Sequence, residues 1–257
     1  LLADMFCFFD IAQYQKKEWD NRNKIYTHNG ELMLSVPTKS QKHLDKTIGE
    51  IEINNETNWA EKQYKSIFLN YKKHPCFENH KPFLENMYLN QQWDRLVDLN
   101  VYFYEYILKL LNKDIPIVMA SDYDLQGQKS DLVLDMCQKL GASTYIFGGE
   151  GENYANKESF KNANIDLIFQ EYNHPIYRQY RNKNNFISHL SILDLIMNYE
   201  NKDLYLNEMF DAYWNNNLDI SSEEILKSIL KKCKIDTYSF IEGIKNPEIK
   251  EELKNIT

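Results

Sequence analysis

Sixteen residues concentrate groups that bind anions: Asp10-Ile-Ala-Gln13-Tyr14-Gln-Lys16-Lys17-Glu-Trp19-Asp-Asn21-Arg22-Asn23-Lys24-Ile25. Lys, Arg, Asn and Gln at this density offer donors to carboxylates or phosphates. A solvated connection between strands is the competing reading. A second polar constellation spans Ser121–Gln128 and includes Asp122. It runs into Lys129-Ser130, which opens a helix whose first-turn amides favour an anion unless Ser130 only caps it. A third lies near 170–179 and holds His174. Gly148-Gly149-Glu150-Gly151 would let backbone approach a ligand, though it lacks the spacing of either standard phosphate loop.

These residues need elements to hold them. Met5–Phe9 is a short apolar run, predicted as a buried strand that ends at Asp10. Leu32–Val36 and Gly49–Ile53 read as further strands, the first closed by Pro37, with the polar stretch Thr38–Lys46 as a surface loop between them. Asn58–Tyr71 reads as a helix, with Trp59, Tyr64, Ile67, Phe68 and Tyr71 on one face. Pro82–Leu111 predicts one long helix or two consecutive ones. The rhythm then alternates: strand Ile117–Ala120, helix Ser130–Leu140 stopped by Gly141, strand Thr144–Phe147, short helix Lys157–Asn162, strand Asp166–Glu171. That order predicts parallel pairing with right-handed crossovers. Ligands in such sheets gather at the carboxyl ends of the strands, so the loops at 121, 148 and 171 would open on one edge, joined by the loop at 10. Ile187–Asn198 is the last expected core helix. The expected fold is therefore α/β: a mostly parallel sheet with flanking helices over 1–198. Residues 199–257 form a polar helical extension that reads as a cap, an appendage or an oligomerisation element.

The bulk numbers exclude several classes. With 257 residues the chain can bury a sizeable core. At 43% hydrophobic and 26% charged it has the composition of a soluble globular protein. A net charge of −8 argues against a broad nucleic-acid surface, so any anion site must be local. Cys7, Cys76, Cys137 and Cys233 show no paired spacing, which points to reduced thiols in a cytoplasm. No Cys has a convincing His partner, and the six histidines show no metal-ligand spacing. No apolar run reaches membrane-spanning length. The chain starts Leu-Leu-Ala-Asp without an initiator Met, and an upstream segment is expected.

The order of motifs resembles the WbqC-like family of bacterial O-antigen and surface-sugar gene clusters. The motifs are Asp10-x-x-Gln13-Tyr14-x-Lys16-x-x-Trp19-x-Asn21-Arg22-Asn23-x-Ile25 and Leu34-Ser35-Val36-Pro37. Lys129-Ser130, Leu140-Gly141-Ala142-x-x-Tyr145 and Gly148-x-x-Gly151-x-x-Tyr154 follow. Phe169-Gln170-x-Tyr172-x-His174-Pro175-x-Tyr177 and Leu190-Ser191-Ile192-Leu193-Asp194-Leu195 complete them. The family pattern also begins upstream with a strand ending in Gln-Pro, absent here. The region after about residue 200 exceeds the usual family extent.

The resemblance implies a transferase of bacterial surface polysaccharide (O-antigen, lipopolysaccharide) biosynthesis, acting on a nucleotide-linked amino sugar. Amide formation with an acyl or aminoacyl group is the implied reaction, with ATP or an activated donor as co-substrate. Such chemistry needs a base, oxyanion donors and phosphate-binding cations. His174 is the candidate base, or a structural histidine. Asp10 and Asp122 would orient it, bind the amine or hold magnesium, or they cap turns. Lys16 and Arg22 suit a pyrophosphate. Gln13, Tyr14, Asn21, Lys129, Ser130, Gly148 and Gly151 would complete the substrate site, and Tyr154, Tyr172 and Tyr177 would stack on a base or sugar unless they pack the core. The alternative is a non-catalytic nucleotide-sugar-binding or scaffolding protein. A glycosyltransferase is disfavoured, because Asp122-Tyr-Asp124 is a solitary Asp-x-Asp.

Overall fold

The computed structural model describes residues 3–39, 46–111, 113–170, 174, 177, 179–180, 186–198, 222–232 and 237–245. Residues 40–45 of the expected surface loop, Tyr172 and Pro175 of the third motif, and most of the expected polar helices after 200 lie outside them. The chain divides into two compact units: Leu1–Lys109 with Lys113–Asn198, and Leu110–Asn112 with Tyr199–Thr257.

The first unit is α/β, with small parallel sheets flanked by helices. Strand β1 (Phe6–Phe8) pairs in parallel with β4 (Ile117–Met119), Phe6 opposite Ile117 and Phe8 opposite Met119. Strands β5 (Thr144–Phe147) and β6 (Asp166–Phe169) form a second parallel pair, crossed over by α5 (Lys157–Asn162). The described strands make three two-stranded sheets rather than one continuous one.

The third sheet corrects the reading of 10–25 as a single loop. The last four of those residues open strand β2 (Arg22–Thr27), antiparallel to β3 (Gly30–Ser35) with Arg22 opposite Ser35. A two-residue turn joins them, and Gly30 takes φ +106°, which a side chain would strain. Helix α1 (Trp59–Tyr71) buries Trp59, Gln63, Ile67 and Tyr71, one residue on each turn of a single stripe.

The strand expected over Gly49–Ile53 does not form. Ile48–Glu50 is a short 3₁₀ turn, held by Glu50 Oε2 accepting from the Thr47 amide at 2.8 Å. Ile51 and Ile53 still face the core, and Ile53 N donates to Asp94 O. Local side-chain bonding defeated the ladder there.

The pattern from Pro82 resolves into two helices with an earlier start. Helix α2 (Phe77–Glu85) contains Pro82, widens into a π turn over Asn86–Asn90, and stops before α3 (Leu96–Leu110). Helix α4 (Ser130–Lys139) has the expected start. The last core helix, α6 (Ile192–Asn198), begins five residues later than expected (187 versus 192).

Phe147 is the hub of the β5–β6 layer. Its ring meets Tyr145, Phe169 and Phe160 at 4.6, 5.5 and 5.9 Å. Met136 and Cys137 of α4 and Phe160 of α5 bury against it. In the second unit, helices α7 (Glu223–Lys232) and α8 (Thr237–Lys245) bury Leu226 and Leu230 against Ile241.

Candidate functional site

The two parallel strands β1 and β4 end side by side, and Asp10 ties their exits together. Its Oδ1 accepts from the Ser121 amide at 3.0 Å, and its carbonyl accepts from Gly49 N at 2.8 Å. A Cβ on Gly49 would come within 3.0 Å of the carboxylate, so glycine is what lets these segments close. Asp10 is thus buried and fixed. Asp122, one residue past Ser121, is exposed and makes no hydrogen bond or ion pair among the described residues. Tyr14 is buried, with its hydroxyl against Thr38 Oγ1. Gln13 pairs through its backbone with Thr47. Lys16 stands exposed on the same loop.

The second group gathers where α4 begins. Lys129 takes φ +52°, a strained conformation for a lysine, and is exposed. Ser130 is buried, and its Oγ accepts from Asn156 N at 2.8 Å, joining the starts of α4 and α5. Gly148 and Gly151 differ in role. A Cβ at Gly151 would lie 2.5 Å from Phe147, so its absence is needed for packing, whereas a Cβ at Gly148 meets nothing within 4 Å. Tyr154 is 53% exposed, with its ring edge on Phe147.

Asn21 and Arg22 belong to a different place. With Trp19 and Asp20 they line a cavity of about 150 Å³, walled by β2, β3, α1 and α3. Asn21 Nδ2 donates to Val36 O at 2.7 Å, which fixes the side chain. The Arg22 guanidinium sits 5.8 Å from the Trp19 ring centre, and its Nε donates to Glu18 O. The two terminal nitrogens of Arg22 have no partner among the described residues. Lys24 approaches the same ring at 5.9 Å but is paired with Glu31. Burial, aided by Glu18, raises the Asp20 carboxyl above the usual carboxylate range against the pull of a hydrogen bond from the Gln15 backbone.

His174 lies among rings: His189, Phe186 and Tyr177 at 4.8, 5.7 and 6.3 Å. The Tyr177 hydroxyl donates to Asp194 Oδ2 at 2.8 Å. Asp194 is wholly buried and also accepts from Tyr71 and Gln179. Burial is the main cause that raises its carboxyl above the usual range, against the pull of these hydrogen bonds.

The structure therefore joins Asp10 with Ser121, Ser130 with Asn156, and Asn21 with Arg22. It ties Tyr177 to Asp194 and sets His174 beside His189. Sequence reasoning missed Asp20, Gln63 and Asp194. A signal existed for two of them. Gln63 occupies the stripe 59, 63, 67, 71 whose other members are all large and apolar or aromatic, and Asp194 sits among Leu193, Ile196 and Met197. Among the described residues no cluster of His, Cys, Asp and Glu suits a metal ion, and no helix is long and apolar enough to cross a membrane.

No solved structure matches the chain. It is 29% identical over 197 residues to an uncharacterized protein, Rv1507c, of Mycobacterium tuberculosis (strain ATCC 25618 / H37Rv), covering 76% of this chain and 84% of the relative. The family model of WbqC-like proteins matches residues 1–205. A match of that extent, over the whole first unit and every motif quoted above, makes this chain a member of the WbqC-like protein family.

Proposed function

We propose that this protein transfers an acyl or aminoacyl group to the amino group of a nucleotide-linked deoxyamino sugar, in the cytoplasm, during bacterial surface polysaccharide synthesis. The carrying observation is the Arg22–Trp19 pair on the cavity wall. An exposed indole offers a face to a ring, and the guanidinium has two unpartnered nitrogens for phosphate oxygens. In this reading the exposed Lys16 and Lys129, on other loops of the first unit, are further phosphate contacts, Gln13, Gly148 and Tyr154 are further substrate contacts, and the buried Tyr14 and Ser130 brace the segments that carry them.

The amine nitrogen attacks the activated carbonyl, the C–N bond forms, and the leaving group departs with the electron pair of its bond. His174 takes the amine proton. Asp122 holds the amine before attack, and Asp10 holds the Ser121 loop that carries Asp122. The donor arrives already activated or is activated with ATP.

The test incubates the full chain with nucleotide-linked deoxyamino sugars and a panel of donors: acyl thioesters, aminoacyl esters, and free acids with ATP. Mass spectrometry reads the expected amide product. Tight sugar-nucleotide binding with no product from any donor would favour the binding-protein reading instead.

A further inference from the structure

We propose that the cavity beside Trp19 binds an α-amino acid with an apolar side chain, its carboxylate on Arg22, its ammonium on Asp20 and its side chain against the apolar wall. That this amino acid is the group passed to the sugar amine rests on the function proposed above; that it binds here does not.

The lining includes the buried Ile25, Met87, Leu99 and Leu193 as well as the exposed Trp19 and Asn23, so the cavity reaches from solvent towards the core. Its volume of about 150 Å³ is of the order that takes a benzene ring, which suits a side chain the size of leucine's. Two residues of opposite charge share this lining, Asp20 and Arg22. Arg22 spends Nε on Glu18 O and leaves its two terminal nitrogens without a partner among the described residues. That fork suits a carboxylate, or the phosphate of an activated donor. Asp20 is half-buried and makes no ion pair among the described residues, with Arg22 or with any other cation. Burial raises its carboxyl, and what pulls it down is a hydrogen bond from the Gln15 backbone rather than a positive charge. Charges taken out of water are usually paired. Here a cation and an anion stand on one largely apolar cavity without pairing, and a zwitterion completes both.

Other ligands meet only part of this wall. A plain carboxylic acid suits Arg22 and the apolar residues but leaves Asp20 unpaired. An amine suits Asp20 and leaves Arg22 unpaired. A polar amino acid suits both charges and puts its side chain against Met87 and Leu99.

Titration calorimetry on the full chain tests this with four probes: L-leucine, L-aspartate, 4-methylpentanoate (leucine without its ammonium) and 3-methylbutylamine (leucine without its carboxylate). Leucine should bind roughly tenfold or more tighter than each of the other three. Absence of leucine binding, or equal binding of leucine and any of the three, overturns the proposal. Asp20→Asn keeps the shape and an acceptor for the Gln15 amide, and it should bring leucine down to the affinity of 4-methylpentanoate. Arg22→Gln should bring leucine down to that of 3-methylbutylamine. Wild-type leucine affinity in either variant overturns the assignment, and the wild-type comparison decides the matter should a variant fail to fold. The readout is binding: no turnover with any donor would sink the transferase reading and leave this one standing.

Discussion

The Tyr71 hydroxyl donates to Asp194 Oδ1 at 2.9 Å, across 123 positions of sequence. The same hydroxyl accepts from Tyr26 N, so α1, β2 and α6 meet at one oxygen. Asp194 also receives Tyr177 and Gln179, and Gln179 is buried. Through Tyr71 this buried carboxyl ties the hairpin to Tyr177 and Gln179.

Removing that acceptor should be costly. Asp194→Ala takes one shared acceptor from the Tyr71, Tyr177 and Gln179 donors, and urea unfolding should show a loss of about 3 kcal/mol. The pH dependence follows from the raised carboxyl. A group whose folded value lies above the unfolded 3.8 stabilises fully below 3.8, and that contribution is lost as pH rises through its folded value. Urea midpoints of the wild type should therefore fall as pH rises above about 4, relative to those of Asp194→Asn, which cannot titrate. Parallel pH profiles of the two proteins would refute this.

Gly151 and Gly148 separate packing from ligand access. Gly151→Ala drives a methyl into Phe147 and should cost about 2 kcal/mol in thermal or urea melts. Gly148→Ala meets open space and should change stability by no more than about 0.5 kcal/mol. If backbone at Gly148 approaches the substrate, that variant instead weakens substrate binding.

Cys7 and Cys137 should be poor nucleophiles. Burial, with Asp10 adding to it, pushes the Cys7 thiol up to about 11, and burial with Cys7 does the same for Cys137. Near pH 8 roughly one thiol in a thousand is ionised at such a value. Iodoacetamide should modify Cys137 slowly in the native protein and fast in denaturant, as read by mass spectrometry. Rapid native labelling would reopen thiol catalysis.

Arg22→Ala and His174→Ala should divide the two halves of the proposed reaction. Arg22 meets phosphate in both ground and transition states, so its loss should raise KM about tenfold with kcat little changed. His174 acts as base, so its loss should lower kcat about a hundredfold. Arg22→Ala should fold, because Arg22 is only half-buried and spends one nitrogen on the protein, and circular dichroism should show His174→Ala folded as well. Wild-type constants in either variant would remove that residue from the site.

Much of the architecture was legible in the chain because it depends on local pattern. The strands at 6–8, 117–119, 144–147 and 166–169 are short apolar runs between turn residues, and α1, α4 and α5 begin within a residue of where their periodicity places them. The motifs that mark the WbqC-like family are likewise strings of adjacent residues. What pattern could not supply was pairing. Asp10 read as a carboxylate for a histidine, an amine or magnesium, or as a turn cap, and only the fold brought the Ser121 amide to it; Tyr177 read as a stacking or core ring, and only the fold took its hydroxyl to Asp194. Gln63 drew no notice in the sequence. Only the packing of α1 against β2 showed its amide nitrogen enclosed and without a hydrogen-bond partner. Periodicity is a property of neighbours along the chain and survives without the fold. Hydrogen-bond satisfaction depends on which distant atoms arrive within about 3 Å, and tertiary structure alone decides that.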